Sequence, residues 1–346
     1  MTQHSWRSAH YKNGRFFNPD TPPQRFSQML KWVTHRKMGR WRKLIPSTPG
    51  PKPQERINGG ALRVTFVNHA TFLLQTEGCN FLTDPVWSDR VSPVSFAGPK
   101  RHRAPGILFD DLPTIDAILL THNHYDHLDV PTLKKLLKRG HPAIFCPLGI
   151  GRLLVKIGFR EIYELDWWQH RGWRNIAIHC VPAQHFSARG PLDRDRTLWC
   201  GWTVKTPAGD IYFAGDTGFG QLFEEIAREF THIRLALLPI GAYEPEWFMG
   251  TIHMTPEQAV RAHAILQPVV SIATHFGTFS LADDGETDPV ERLRMARIDS
   301  GYANTFWIPE EGSGYDIPES AALSHATENA DSCREDENCS DRQSGI

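Results

Sequence analysis

The stretch His122-Asn123-His124-Tyr125-Asp126-His127 decides how the rest of the chain is read. Four of its six side chains are of types that bind a divalent metal, since imidazole nitrogen and carboxylate oxygen both suit Zn2+, usually at coordination number four. The run follows an apolar, strand-like segment at 115–120 and precedes residues 130–138, whose apolar positions have helical spacing. A strand-to-helix turn cannot wrap all four side chains around one ion. It can aim His122 and His124 one way and Asp126 and His127 another, which feeds two metals. Two ions ~3.5–4 Å apart form a clamp suited to hydrolytic displacement.

A dinuclear site needs more ligands, and strand ends are where a rigid frame presents them. His185 follows the apolar run 176–182. Asp216 follows 211–214, in Phe213-Ala214-Gly215-Asp216-Thr217-Gly218. His275 follows 269–273. Any one of them alone reads as an ordinary polar residue at the end of a strand. Their recurrence at successive strand ends, with the cluster, points to one site.

The body around these residues alternates strands and helices. Residues 62–74 read as a strand pair or one long strand. Further strands are expected at 80–83, 143–146, 161–165, 199–206 and 235–239. Helices are expected at 149–157, 219–229, 255–266 and 288–298. The third is well signalled, with Thr255 as N-cap, Pro256 at the first position and Gln258 closing a capping box. Strands with helices interspersed in both halves suit two packed sheets with helices outside, an α/β four-layer arrangement.

The ends differ from the body. Net charge is −1, yet residues 1–56 hold twelve Lys/Arg against Asp20 and Glu55, or +10, and residues 319–346 hold seven acids against Arg334 and Arg342, or −5. Three regions are therefore expected: a basic Pro-rich arm at 1–60, a hydrolase domain at 61–318, and an acidic disordered tail at 319–346. Residues 26–44 suggest a basic amphipathic helix that either lies on anionic lipid or packs its tryptophans on the body. Cys79, Cys146, Cys180 and Cys200 sit in apolar stretches and read as buried free thiols, which fits a reducing compartment. No signal peptide or membrane-length apolar run is visible, so a cytoplasmic protein, peripheral at most on a membrane, is expected.

The His122–His127 cluster with His185, Asp216 and His275 resembles the metallo-β-lactamase fold superfamily, whose H-x-H-x-D-H, H, D, H pattern is matched at every position. The resemblance implies a four-layer αβ/βα sandwich holding two Zn2+ per chain, with other divalent metals also suited to such donors. It implies one metal on His122, His124 and His185, the other on Asp126, His127 and His275, and Asp216 between them. Phe81-Leu82-Thr83-Asp84-Pro85 looks like an early aspartate motif, with Asp84 orienting a ligand histidine and His69 in similar support.

Three blocks narrow the resemblance to N-acylphosphatidylethanolamine-hydrolysing phospholipase D. They are Leu82–Pro85 with Gly98-Pro99-Lys100-Arg101, Thr121 to Asp129, and Pro239-Ile240-Gly241-Ala242-Tyr243-Glu244-Pro245-Glu246-Trp247-Phe248-Met249. This implies hydrolysis of a phospholipid diester to an N-acylethanolamine and phosphatidic acid by a hydroxide held between two metals. Asp126 would orient that hydroxide. Tyr125, His253 and Tyr243 would touch substrate, with His253 donating a proton. For His253 the alternative is a decoration before the helix at 255, and for Tyr125 it is packing under the metal loop. Aromatics near the strand ends, such as Trp247 and Phe186, would form core or an acyl groove. Partners would be the phospholipid and, through residues 1–56, anionic membrane, with no nucleic acid. The rival activities are a sugar-phosphate lactonase-like hydrolase, a nucleic-acid phosphodiesterase on the same fold, and a non-catalytic scaffold, which would have no need of seven ligands.

Overall fold

Strands whose every side chain is apolar must be covered on both faces. In β3 (Leu62–Asn68), β4 (Thr71–Thr76) and β5 (Cys79–Thr83) almost every residue is buried. Alternate residues enter different cores. Val64, Phe66, Phe72, Leu74 and Phe81 face a second sheet, while Val67, Leu73 and Leu82 face outward onto helices. The same two-residue period continues through β6 (Ala117–Leu119) and β7 (Ala143–Pro147), where Leu119 and Phe145 point in and Ile118 and Ile144 point out. The outer face is covered by α2 (Val130–Arg139) and α3 (Gly151–Ile157), through Leu133, Leu136 and Leu154.

The computed structural model describes residues 8–22 and 24–319. Ahead of the body come a hairpin of β1 (Tyr11–Lys12) and β2 (Arg15–Phe16), then α1 (Phe26–Thr34). The first half ends with β8 (Ile162–Leu165). The second half runs β9 (His170–Trp173), β10 (Ile176–Val181), β11 (Gly201–Lys205), β12 (Asp210–Phe213), α4 (Leu222–Glu229), β13 (Ile233–Pro239), α5 (Glu246–Met249), α6 (Pro256–Leu266), β14 (Val270–Thr274), α7 (Asp288–Asp299) and β15 (Phe306–Trp307). A last strand, β16 (Gly314–Asp316), returns to the first sheet beside β3.

Each sheet has seven strands, ordered β16-β3-β4-β5-β6-β7-β8 and β15-β14-β13-β12-β11-β10-β9. Each begins as an antiparallel meander and continues as parallel strands joined through helices. The result is the expected αβ/βα sandwich, built from two halves of like topology. The two sheets are stitched at the end where β6 delivers the metal loop: Trp202 Nε1 donates to Leu120 O at 2.8 Å, Cys200 N to Thr121 O at 2.9 Å, and His275 N to His69 O at 2.9 Å. Gly215 stands so close that an added Cβ would lie 2.6 Å from Thr121 Cγ2.

Several expectations are revised. The helix expected over 26–44 stops at Thr34, because Gly39 pairs with the 283–285 loop (Gly39 N to Asp283 O, 2.7 Å) at an approach that excludes any Cβ. Of the two readings of the arm, its described residues follow the one that packs tryptophans on the body. Arg36, Arg42 and Arg56 pair with Asp283, Glu286 and Asp116, Trp41 Nε1 donates to Asp284 O, and Trp32 stacks on Phe248 at 5.3 Å. The acidic tail, with Cys333 and Cys339, lies outside the described residues beyond Glu319, as do residues 1–7 of the arm. Cys79, Cys146, Cys180 and Cys200 are buried and free. Among the described residues no helix is long and apolar enough to cross a membrane.

Trp202 is fully buried, and its indole is the donor for Leu120 O. Trp202→Phe keeps an aromatic ring but orphans that carbonyl, so it should cost about 1–3 kcal/mol. Urea unfolding in chelator, where metal binding cannot mask the loss, is the measurement; an unchanged midpoint would show that the stitch contributes nothing.

Candidate metal centre

Every residue expected as a ligand arrives from a strand end. His122, His124, Asp126 and His127 follow β6, His185 follows β10, Asp216 follows β12 and His275 follows β14. They converge into one buried cluster. His122 Nε2 lies 2.8 Å and His185 Nε2 3.3 Å from His124 Nδ1, so three imidazole nitrogens share one point. On the other side, Asp126 Oδ2 lies 3.3 Å from His127 Nε2 and 3.6 Å from His275 Nε2. Asp216 Oδ2 stands between the two groups, 3.0 Å from His275 Nε2, 3.2 Å from His127 Nε2, 3.8 Å from His185 Nε2 and 4.0 Å from His122 Nε2.

Three of the rings, His122, His127 and His185, are held from behind by hydrogen bonds that fix their tautomers. His127 Nδ1 donates to Asp84 Oδ2 at 2.6 Å and His185 Nδ1 to Ile252 O at 3.0 Å, leaving each Nε2 facing the cluster. His122 is fixed by a relay. Thr121 Oγ1 has one proton and gives it to Asp84 Oδ2 at 2.6 Å, so it must accept from His122 Nδ1 at 2.9 Å. Asp84 also accepts from Thr121 N at 2.8 Å. It therefore orients ligand rings of both groups, a wider role than the single histidine the sequence suggests.

The electrostatics sort the rings into two kinds. Burial, reinforced by neighbouring histidines, holds His122 well below the ordinary imidazole value. Burial also brings His124 to about 4 and His185 to about 3, against the pull of nearby carboxylates. All three present neutral nitrogens, the form a metal needs. Burial opposes charge on His127 and His275 as well, but Asp216 and Asp126 outweigh it, raising His127 well above its ordinary range and His275 to about 9. Those carboxyls, though buried, are in turn held well below the usual carboxylate range, chiefly by His127. The same field that keeps protons on these two rings favours a cation in their place.

The donor set fits divalent metal on chemistry and on satisfaction of polar groups. His127 Nε2, His275 Nε2 and Asp216 Oδ1 are buried and have no protein hydrogen-bond partner. Buried polar atoms without partners are rare because each costs about 1–3 kcal/mol. Coordination to an ion satisfies them together.

His69 is closer in than a supporting role requires. Its Nε2 lies 2.9 Å from Asp126 Oδ2, and it shares a compact group with Asp126, His127 and His275. His69, Asp84 and His275 all have positive φ, at 48°, 32° and 60°. Such strain in non-glycine residues is held only where surrounding structure enforces it. His253 is brought to the cluster beside His185 and Asp216, its ring 5.3 Å from that of His275 and its buried Nδ1 unpartnered. Tyr125 is half-buried at the edge; its hydroxyl donates to Arg189 O and Arg189 stands 3.9 Å over its ring. Tyr243, expected on the substrate, is 1% exposed, with Arg292 4.6 Å over its ring.

Sequence reasoning missed two residues. Arg189 donates to Asn123 O at 2.7 Å and Leu128 O at 2.8 Å, clamping the metal loop. Asn18, in the arm, donates to His185 O at 2.8 Å. Neither carries a local pattern; both are contacts between segments far apart in the chain.

The family model of the beta-lactamase superfamily domain matches residues 79–276. An uncharacterized protein of Mycobacterium tuberculosis is 39% identical over 303 residues, covering 84% of this chain and 80% of that one. An N-acyl-phosphatidylethanolamine-hydrolyzing phospholipase D of Caenorhabditis elegans is 37% identical over 274 residues, covering 74% of this chain and 76% of the relative. An isothiocyanate hydrolase from Delia radicum gut bacteria superposes with a TM-score of 0.59 at 23% identity, over 74% of this chain and 100% of that one, which is a likeness of fold.

Asp84→Asn puts an amide nitrogen where only acceptors fit and loosens His122 and His127 together. Metal affinity should fall about 10–100-fold, measured by chelator competition and elemental analysis of the refolded variant. Retention of full affinity would remove Asp84 from the account of the site.

Proposed function

We propose a metal-dependent hydrolase acting on a phospholipid diester, from the premise that this chain belongs to the beta-lactamase superfamily. The observation that carries the reading is Asp216 Oδ2, set within 3.0–4.0 Å of four imidazole nitrogens drawn from both ligand groups. A carboxylate so placed would be shared by two cations if both were bound. We assign His122, His124 and His185 to one, Asp126, His127 and His275 to the other, with zinc as the metal that suits these donors best. A bound pair supplies a nucleophilic water at neutral pH and neutralises charge developing on a phosphoryl group.

The chain's own residues do the rest. Asp126, charged and held on three histidines, fixes one side of the cluster where an attacking water would be oriented. His253 is kept neutral by burial, so its ring can donate to a phosphoryl oxygen without a competing charge. Tyr125 and partly exposed His124 mark the open side, where a headgroup enters. Support for N-acylphosphatidylethanolamine as substrate comes from the worm relative, whose name states that activity.

A lipid substrate calls for membrane contact. Met29, Leu30 and Val33 of α1 are exposed, and beside them Lys31 lies 4.8 Å over the ring of Trp247, itself 47% exposed. Apolar side chains with a cation at their edge suit the surface of an anionic bilayer. The arm's Arg36, Arg42 and Arg56 are engaged with acidic residues of the body, which disfavours a nucleic-acid grip.

Asp216→Asn should lower turnover of N-acylphosphatidylethanolamine vesicles by at least 1,000-fold, roughly 4 kcal/mol of barrier, with metal content falling in parallel. Turnover of a soluble diester by the wild type with none of the lipid would sink the lipid assignment. Leu30→Asp with Val33→Asp should cut binding to anionic liposomes more than tenfold, since each apolar side chain buried contributes about 1.5–3 kcal/mol. Unchanged sedimentation would remove α1 from the membrane contact.

A further inference from the structure

A cavity lies at the edge of the sandwich where the last two strands meet α7. The edge strands β15 and β16 belong to different sheets, yet Trp307 of one and Tyr315 of the other have ring centroids 5.8 Å apart. With α7 and residues 308–311 they line a space of about 530 Å³, a size typical of small-molecule sites. No residue of the metal centre lines it. Phe276 and Gly277 do, and they directly follow His275, so a molecule held here touches the segment that carries that ligand.

Four arginines line the space, and two are already neutralised. Arg42 Nε donates to Glu286 Oε1 at 2.9 Å, and Arg103 Nη1 to Glu311 Oε1 at 2.6 Å. Arg294 and Arg297 stand one turn apart on α7 and pair with no acid among the described residues. Side chains at that spacing are neighbours, and like charges there repel. Burial first, then Arg294, holds the Arg297 guanidinium below its ordinary value. Arg297 Nη1 donates to Phe306 O at 2.6 Å, while its Nε is buried with no partner. A buried donor left unpaired is rare, and an anion would satisfy it and relieve the repulsion together. Glu291 and Glu310 also line the space, but both are exposed and solvated. Trp307 Nε1 is spent on Asn304 O at 2.8 Å, so its ring offers a planar apolar surface.

We propose that this cavity is a binding site for a planar aromatic anion, with its acid group on Arg294 and Arg297 and its ring against Trp307 and Tyr315. The guanidinium fork matches paired oxygens of such a group, and the aromatic rings match its face. The site is separate from the metals and does not depend on the phospholipid reading.

Titration calorimetry of the metal-loaded full chain with naphthalene-2-sulfonate tests this, a sulfonate being a weak metal ligand. It should bind one molecule per chain, at least tenfold more tightly than 2-naphthylmethanol, which lacks the charge, or methanesulfonate, which lacks the ring. Arg294 is exposed, so Arg294→Gln should leave the melting temperature in place while weakening the sulfonate about tenfold. Trp307→Leu should weaken it by a similar factor. No detectable binding, equal affinity for the sulfonate and the neutral alcohol, or unaltered affinity in both variants overturns the proposal. A tighter hold on 2-naphthylmethylammonium than on the sulfonate overturns it as well, by giving the site to Glu291 and Glu310.

Discussion

Five imidazoles and two carboxylates do not stay facing one another in a dry interior without restraint from the structure around them. Mutual repulsion and the cost of burial would otherwise turn the side chains away or draw water in. The buried carboxylate of Asp84 supplies much of that restraint. It fixes His127 directly, fixes His122 through the Thr121 hydroxyl, and ties down the Thr121 backbone. Burial pushes its own pKa up, opposed by His127 and the Thr121 donors that surround it. Its φ of 32° is a strained backbone state. Strain and desolvation meet at this residue, which positions rings of both groups in the cluster.

The fold is arranged around this restraint. The ligands come from both sheets: the metal loop from the first, His185, Asp216 and His275 from the second. Their relative placement therefore depends on how the sheets are joined. The bonds from Trp202 to Leu120, Cys200 to Thr121 and His275 to His69 lie directly behind the ligands, and Gly215 admits no larger residue against Thr121. A slip between sheets would separate the two ligand groups, so rigidity here is a condition of the chemistry. The far edges are looser in design, closed by short strands such as β15 and β16.

Much of the centre was legible because metal ligands are constrained in kind and in place. Only His, Cys, Asp and Glu serve, and in this fold they sit just past apolar runs, so His185, Asp216 and His275 could be found one by one. The helix α6 was legible for a similar reason: Thr255 and Gln258 form the reciprocal capping bonds their spacing implies. What stayed hidden depends on contacts rather than on local pattern. The end of α1 is set by Gly39 meeting Gly285, far along the chain. Short elements such as α5, β9 and β16 have too few residues to show a period. Tyr243 sits in a block tied to the site by resemblance, but only the fold shows Arg292 covering its ring. His69 read as a supporting residue because nothing in Asn68-His69-Ala70 reveals that the turn between β3 and β4 carries it onto Asp126.

The metal cluster by itself selects poorly among substrates. Two cations and a nucleophile act on any suitably placed ester or diester, and the strand-end ligands leave little to distinguish one from another. Discrimination has to come from walls that touch the non-reacting parts of a molecule, because remote contacts determine which substrate reaches the reactive geometry. The segments outside the two sheets that stand near the cluster are residues 12–22, the 186–195 loop, and α1 against α5. Each is fastened at a few defined points, such as Asn18 on His185 O and Trp32 on Phe248. A scaffold that fixes the ligands rigidly and leaves the walls to loosely anchored segments can change its substrate without disturbing its metals. The basic arm, which composition alone presents as an appendage, is packed on the body beside the metal cluster through such contacts.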